Sequence, residues 1–300
     1  VNVTLFGVSS ADSLKASEAV SEVRDVFAYF NSEMNPYVAT SSLSELNSIE
    51  PGRMAEIPEP LREILKISLN IYKYTDGYFD VAVLPVVELW GFYTESEPSV
   101  PKAEELAEIL KISTLDSYEF AQDSIMLKDK KCRIGLGGIA KGYAVDSAAS
   151  CLYTRGYTDF IVEAGGDLTV RSPVPKTIGI KHPRKENALI DTIYVANGSV
   201  ATSGDYEKFI IGDGVRYCHI INPYNGFGTS DLVSVTVISE KAYLSDAFAT
   251  AAFAMGKKKA EYILEKNNLS ALLYYIGADG GIECSRINME RYFKKDRRGM

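Results

Sequence analysis

The texture of the chain changes near residue 120, and that change limits the folds open to it. Before it, apolar residues recur at helical spacing; after it, short β-branched runs separated by Gly, Pro and Asn dominate. Leu14, Val20, Val23, Phe27 and Phe30 predict an amphipathic helix over residues 11–33. Pro58 and Pro60 open a second helix, carried by Leu61, Ile64, Leu65, Ser68 and Tyr72 and stopped at Gly77. A polar loop at 35–47 separates the two, and Pro101 begins a third, short helix. Strands are expected at 1–6, 159–163, 177–181, 191–196, 217–221 and 233–238, interrupted by helices at 139–154 and 243–266. Helices gathered at one end with strands in the middle predict an α+β fold with largely antiparallel sheets and flanking helices. The 300 residues suffice for one such domain, 1–300, with a soft lobe boundary near 120 that no linker marks.

Several function classes fall away at once. A formal net charge of -8 argues against a nucleic-acid partner. The only basic run, Lys294-Lys295-Asp296-Arg297-Arg298, reads as a solvated tail. Cys132, Cys151, Cys218 and Cys284 show no CxxC spacing, so neither a zinc site nor a dense disulfide framework is indicated. His182 and His219 are the only histidines, too few for a histidine-based metal cluster; a hard-metal oxygen site stays open. No stretch of about 18 apolar residues suggests a membrane span. The start at Val1, already inside a strand-like run, is expected to be a processed end, with a signal or anchor segment in the precursor.

Five short constellations could carry chemistry. Gly135-Leu136-Gly137-Gly138-Ile139-Ala140-Lys141-Gly142 opens a helix, where glycines let backbone N–H groups approach phosphate and Lys141 adds a cation. The spacing is not that of a P-loop, but it satisfies GxGxxA, and Glu163 follows at a Rossmann-like distance. Against a Rossmann unit, the preceding segment Lys128-Asp129-Lys130-Lys131-Cys132-Arg133 is too polar for a strand buried on both faces. Glu163-Ala164-Gly165-Gly166-Asp167 is a strand end with a carboxylate. Asp205 in Thr202-Ser203-Gly204-Asp205-Tyr206 and His219 before Asn222-Pro223-Tyr224-Asn225-Gly226 are candidates for an acid/base or phosphate-binding pair across a hairpin. Asp246 and Thr250 stand at i and i+4 on one helix face; they read as a helix N-cap by Ser245 or Asp246, or as two oxygen donors to Mg²⁺ if a carbonyl and substrate phosphates complete the shell. Asp76-Gly77-Tyr78-Phe79-Asp80, with Trp90-Gly91-Phe92 beyond, places aromatics beside a carboxylate, which suits a planar heterocycle but is more commonly a stacked aromatic core.

In this order, these segments closely resemble the ApbE family of FAD:protein FMN transferases. The likeness runs from about Phe27 to about Gly256, through residues 34–47, 76–80, 89–92, 137–146, 165–167, 202–206, 219–226 and 246–250. The resemblance implies a Mg²⁺-dependent transfer in which FAD and a Ser or Thr hydroxyl of a target flavoprotein give an FMN-linked protein and AMP. It implies a metal site of Asp246, Thr250 and the Gly138 carbonyl, and a phosphate contact from Lys141. Tyr78, Phe79 and Asp80, with Tyr37 at the rim, look like the FAD pocket, and Asp167 and Ser203 are assigned to cofactor binding with them. His219 and Asp205 look like active-site polar residues. The implied acceptor carries an Asp-Gly-x-Ser/Thr-Gly-Ala-Ser/Thr-like segment in a flavoprotein of membrane or extracytoplasmic electron transfer. Resembling proteins work lipid-anchored at the outer face of the cell membrane. Gly135 and Asn222 stand where the family often has Asp. An aromatic Tyr37 favours transfer over the alternative, hydrolysis of FAD to FMN and AMP. A passive FAD carrier and a Rossmann-type oxidoreductase are the remaining readings.

Overall fold

A computed structural model describes residues 1–94, 97–212, 214–229 and 231–293, which leaves the basic run at 294–298 outside the described residues. The first part contains β1 (Asn2–Leu5), α1 (Ser13–Met34), α2 (Ser42–Leu46), β2 (Ala55–Glu56), α3 (Glu59–Tyr74), α4 (Leu84–Leu89) and α5 (Ala103–Leu110). After the hairpin β3 (Tyr118–Ala121) and β4 (Ser124–Leu127) come α6 (Ala140–Thr154), β5 (Phe160–Ala164), β6 (Asp167–Lys181) and β7 (Leu189–Gly204). The rest comprises β8 (Phe209–Gly212), β9 (Val215–Cys218), β10 (Leu232–Ser239), α7 (Ala242–Met255), α8 (Lys257–Lys266), β11 (Ser270–Ile276) and β12 (Ile282–Ile287).

Among the described residues the main sheet has seven strands in the order β1-β5-β6-β7-β10-β11-β12. Every neighbouring pair in it is antiparallel, so the α+β expectation holds. A three-stranded sheet, β2-β4-β3, and the separate hairpin β8-β9 complete the strands. The strand before the glycine run (β4) and the strand after α6 (β5) lie in different sheets, and β5 pairs antiparallel on both sides. That removes the Rossmann reading, which needs two parallel strands of one sheet joined through the helix.

The long helices mostly follow their sequence signals; α4 stands where none was expected, and Leu14, at the start of α1, is exposed rather than on the buried stripe. In α3, Leu61, Ile64, Leu65, Ser68 and Ile71 are buried on one stripe, with Glu59 in the first turn and Lys73 in the last. The loop expected at 35–47 holds a short helix, α2, because Ser41 accepts the Ser44 N–H and caps it. The single helix expected at 243–266 is two, broken at Gly256, whose φ of 75° continues no right-handed helix. The largest core draws Leu43, Leu61 and Ile64 from the first part together with Val235, Phe253 and Ile287 from the second. Its centre is α7, which is buried almost all round because Ala247, Ala249, Ala251 and Ala252 let the sheet and α6 approach closely.

Candidate active site

Helices α6 and α7 meet at their N-termini, and each caps the other. Asp246 Oδ2 accepts the Gly142 N–H of α6 at 3.0 Å, while Asp146 Oδ2 accepts the Tyr243 N–H of α7 at 3.1 Å. Both carboxylates thereby satisfy otherwise orphaned amides at the positive ends of helix dipoles. The crossing needs Gly142: a Cβ there would lie 2.4 Å from the Ala242 carbonyl oxygen. The other oxygen of Asp246 lies 3.9 Å from Lys141 Nζ, which donates to Asp167 Oδ2 at 2.6 Å. Asp246 and Asp167 are buried, whereas half of the Lys141 side chain stays exposed to the cavity. Burial opposes the charge on Lys141, but Asp246 and Asp167 outweigh it and hold the ammonium above the usual lysine range. Burial, then the charge of Asp246, pushes the Asp167 carboxyl well above the usual carboxylate range. One turn after Asp246, the Thr250 hydroxyl stands 3.4 Å from Ser203 Oγ, and an added Cβ on Gly138 would meet Thr250 Cγ2 at 3.0 Å.

This cluster forms the floor of a cavity of about 570 Å³, a size that suits a large cofactor. Its walls are apolar and aromatic. Tyr37 and Tyr93 stack with centroids 6.3 Å apart, and Phe79 packs behind Gly138. Loop 35–41, which carries Tyr37, is held by an Asx turn in which Asn35 Oδ1 accepts the Tyr37 N–H at 3.0 Å. Asn47 pairs with Ile134 through both its amide atoms, at 2.7 and 2.9 Å, and so pins the chain leading into the glycine run. Asp80 caps the turn after it by accepting the Ala82 N–H at 2.8 Å, and burial pushes its carboxyl up to about 7.

His219 sits beside Tyr93, at the root of the β8–β9 hairpin. Its ring lies edge-on to Tyr93, centroids 5.8 Å apart, and its Nδ1 is 3.2 Å from the Lys208 carbonyl oxygen. Burial lowers its pKa below the usual histidine value.

The sequence model of the ApbE family matches residues 1–273. This chain belongs to the ApbE family. The FAD:protein FMN transferase of Haemophilus influenzae is 32% identical over 290 residues, which cover 92% of this chain and 82% of that protein. The enzyme of the same name from Vibrio cholerae is 29% identical, over 91% of this chain and 84% of its own length. Two solved structures, the flavin transferase ApbE of Vibrio cholerae and the ApbE protein of Thermotoga maritima, each superpose with a TM-score of 0.83. They are 27% and 32% identical to this chain and cover 96% and 94% of it, and 93% and 92% of their own chains, respectively.

Of the residues singled out from this ApbE sequence, Tyr37, Tyr78, Phe79, Asp80, Gly138, Lys141, Ser203, His219, Asp246 and Thr250 line the one cavity. Asp167 stands behind Lys141 as its ion-pair partner. The expected pairing of Asp205 with His219 is corrected: both Asp205 oxygens are taken by the Arg184 guanidinium, at 2.6 and 2.5 Å. Asn222 serves as a turn residue, its Oδ1 accepting the Tyr224 N–H at 2.9 Å, a role open to an aspartate as well. At Gly135, an added Cβ would lie 3.0 Å from Leu84 Cβ, so Leu84 occupies the space next to it. Tyr93, Glu207 and Lys208 also belong to the cavity or its rim and were not singled out from the sequence. Tyr93 follows the Trp90-Gly91-Phe92 string directly, with a φ of 64° that an aromatic residue rarely adopts.

Proposed function

We propose that this ApbE protein is a Mg²⁺-dependent FAD:protein FMN transferase, which splits the FAD pyrophosphate and joins FMN to a Ser or Thr hydroxyl of an acceptor protein, releasing AMP. The observation that carries this reading is the floor of the cavity: Lys141, Asp246, Thr250 and the N-terminus of α6 converge beneath aromatic walls. Family membership and the names of the relatives support the same reading.

The donor set fits a hard divalent cation. Two buried carboxylates, Asp167 and Asp246, share one ammonium, and the Thr250 hydroxyl lies one helical turn from Asp246. Among the described residues no three His, Cys, Asp or Glu side chains converge as a metal cage. The protein therefore offers part of a shell, Asp246, Thr250 and the Gly138 carbonyl, leaving places for phosphate oxygens, as Mg²⁺ prefers. Bound there, the cation would neutralise charge on the pyrophosphate as it is cleaved.

The chain's own residues supply the rest. Lys141 and the positive end of the α6 dipole face the phosphates and stabilise negative charge on them. Tyr37, Tyr78, Phe79 and Tyr93 give flat apolar surface for the flavin and shut water out. His219 accepts the proton of the acceptor hydroxyl. With Nδ1–H donating to the Lys208 carbonyl, Nε2 is left as the free base, and burial keeps the ring neutral at pH 7. The acceptor oxygen then bonds to the FMN phosphorus, the P–O bond to the AMP half breaks, and AMP leaves with the electron pair. The test is mass spectrometry of a polypeptide bearing the Asp-Gly-x-Ser/Thr-Gly-Ala-Ser/Thr segment after incubation with FAD and Mg²⁺. A flavin-sized mass increase is expected, and its absence on every such acceptor overturns the proposal. AMP release that is equally fast without acceptor would make the enzyme an FAD pyrophosphatase instead.

We further place the protein at the extracytoplasmic face of the membrane through a lipid anchor, acting on electron-transfer flavoproteins. This rests on the family resemblance. No helix among the described residues is long and apolar enough to cross a membrane. Cell fractionation of the full-length precursor tests the placement, and a cytoplasmic pool alone would refute it.

A further inference from the structure

Among the described residues, β8 and β9 pair only with each other, so no backbone ladder fixes this hairpin to the main sheet. Yet its root forms a wall of the cavity: Glu207 and His219 line it, and Lys208 accepts the His219 N–H at 3.1 Å. What holds the hairpin is therefore left to side chains. Ile210 and Tyr217 pack against the cluster around Trp90 on one face. On the other, Arg216 stacks on Phe209 at 3.7 Å and reaches back to Asp205.

Asp205 joins three parts of the molecule. Its backbone N–H donates to the Val233 carbonyl at 3.1 Å, which fixes it to the leading edge of β10. Its carboxylate accepts both arms of Arg184, from the β6–β7 connection. Arg216 of β9 donates to the Asp205 carbonyl at 3.4 Å and brings Nε to 3.9 Å from the carboxylate. Both oxygens of this carboxylate are engaged by the guanidinium, which leaves neither free to turn toward His219. Asp205 is also only 7% exposed and forms no part of the cavity lining.

We propose that Asp205 is a positioning residue: it relays the position of the main sheet, through Arg184 and Arg216, to the hairpin root and so sets where the His219 ring points. The proposal rests on His219 as the proton acceptor. A general base displaced by about 1 Å can lose about 10²-fold in rate while the ligand still binds.

The experiment is a double-mutant cycle on the full chain with FAD, Mg²⁺ and the acceptor polypeptide described above, reading FMN transfer by mass spectrometry and FAD affinity by fluorescence quenching. Asp205→Asn is expected to lower kcat by about 10–100-fold with FAD affinity kept within about twofold. In a His219→Ala background the same substitution should cost nothing further, because the group it positions is gone. A purely structural Asp205 would lower the melting temperature, leave kcat of the folded fraction intact, and sink the proposal. Losses that multiply in the double mutant would do the same. If Asp205→Asn does not fold, Arg216→Met cuts only the hairpin side of the cluster and should show the same coupling with a smaller loss. If neither folds, the cluster is a determinant of the fold and the proposal fails. A wild-type rate in His219→Ala would instead remove the base assignment, which separates the two failures.

Discussion

The floor and the rim of the cavity are built differently. The floor is the junction of two central helices, where Asp146 and Asp246 each cap the partner's N-terminus and most of the surrounding side chains are buried, with Lys141 reaching out into the cavity. The rim is a two-stranded hairpin and two loops, held by Arg184, Arg216, an Asx turn and stacked tyrosines. Charge is thus handled at buried, mutually capped helix ends, an arrangement that suits preorganised dipoles and ions. Contacts that must admit FAD and then a protein sit on elements with fewer backbone ties.

The two capping aspartates give the sharpest test of the floor. Asp246→Asn keeps the oxygen that caps α6 and removes the charge beside Lys141. Transfer should fall by about 10⁴-fold, matching the several kcal/mol that a bound cation supplies in phosphoryl transfer, while the melting curve changes little. Turnover surviving EDTA and this substitution would dissolve the distinction between floor and rim. At the rim, His219→Ala should cost about 10²–10⁴-fold in rate with little change in FAD affinity. The acid limb of kcat/KM should lie below the usual histidine value of about 6.5, since burial favours the neutral ring, and should vanish in the variant. A limb above that value would contradict the burial argument.

Smaller effects follow from the aromatic wall. Tyr93→Ala removes the partner of Tyr37 and should weaken FAD binding by up to about tenfold, the worth of an aromatic pair, as read by flavin fluorescence. Unchanged affinity would mean that the wall only excludes water. Asp80 carries a pH signature instead. Its folded pKa is raised to about 7, so between about 4 and 7 the folded state holds more protons than the unfolded one. Stability should therefore fall as pH rises across that range, and urea midpoints of Asp80→Asn should lack this slope. The smallest effect is expected for Asp146→Asn: at most about 1 kcal/mol of stability, since the amide oxygen still caps α7, with the transfer rate unchanged.

The floor was legible in the sequence because its parts are local patterns. Glycines before a helix, a lysine in its first turn, and Asp246 with Thr250 at i and i+4 each follow from backbone geometry within a few residues. The α+β class and most helix limits were legible for the same reason, periodicity being a short-range property. The break at Gly256 was passed over because the apolar pattern runs on through it. The role of Asp205 is not legible locally because Arg184, which takes both its carboxylate oxygens, comes from the far end of the β6–β7 ribbon. Tyr93 and Lys208 escaped notice likewise: their ring and ammonium meet at 3.6 Å across more than a hundred residues of chain. A residue's chemistry is written in its type and near neighbours, so the sequence alone supplied the cast of the site. Which carboxylate faces the cavity and which is spent on an arginine depends on contacts between distant segments, and those exist only once the sheet, the two central helices and the hairpin have packed.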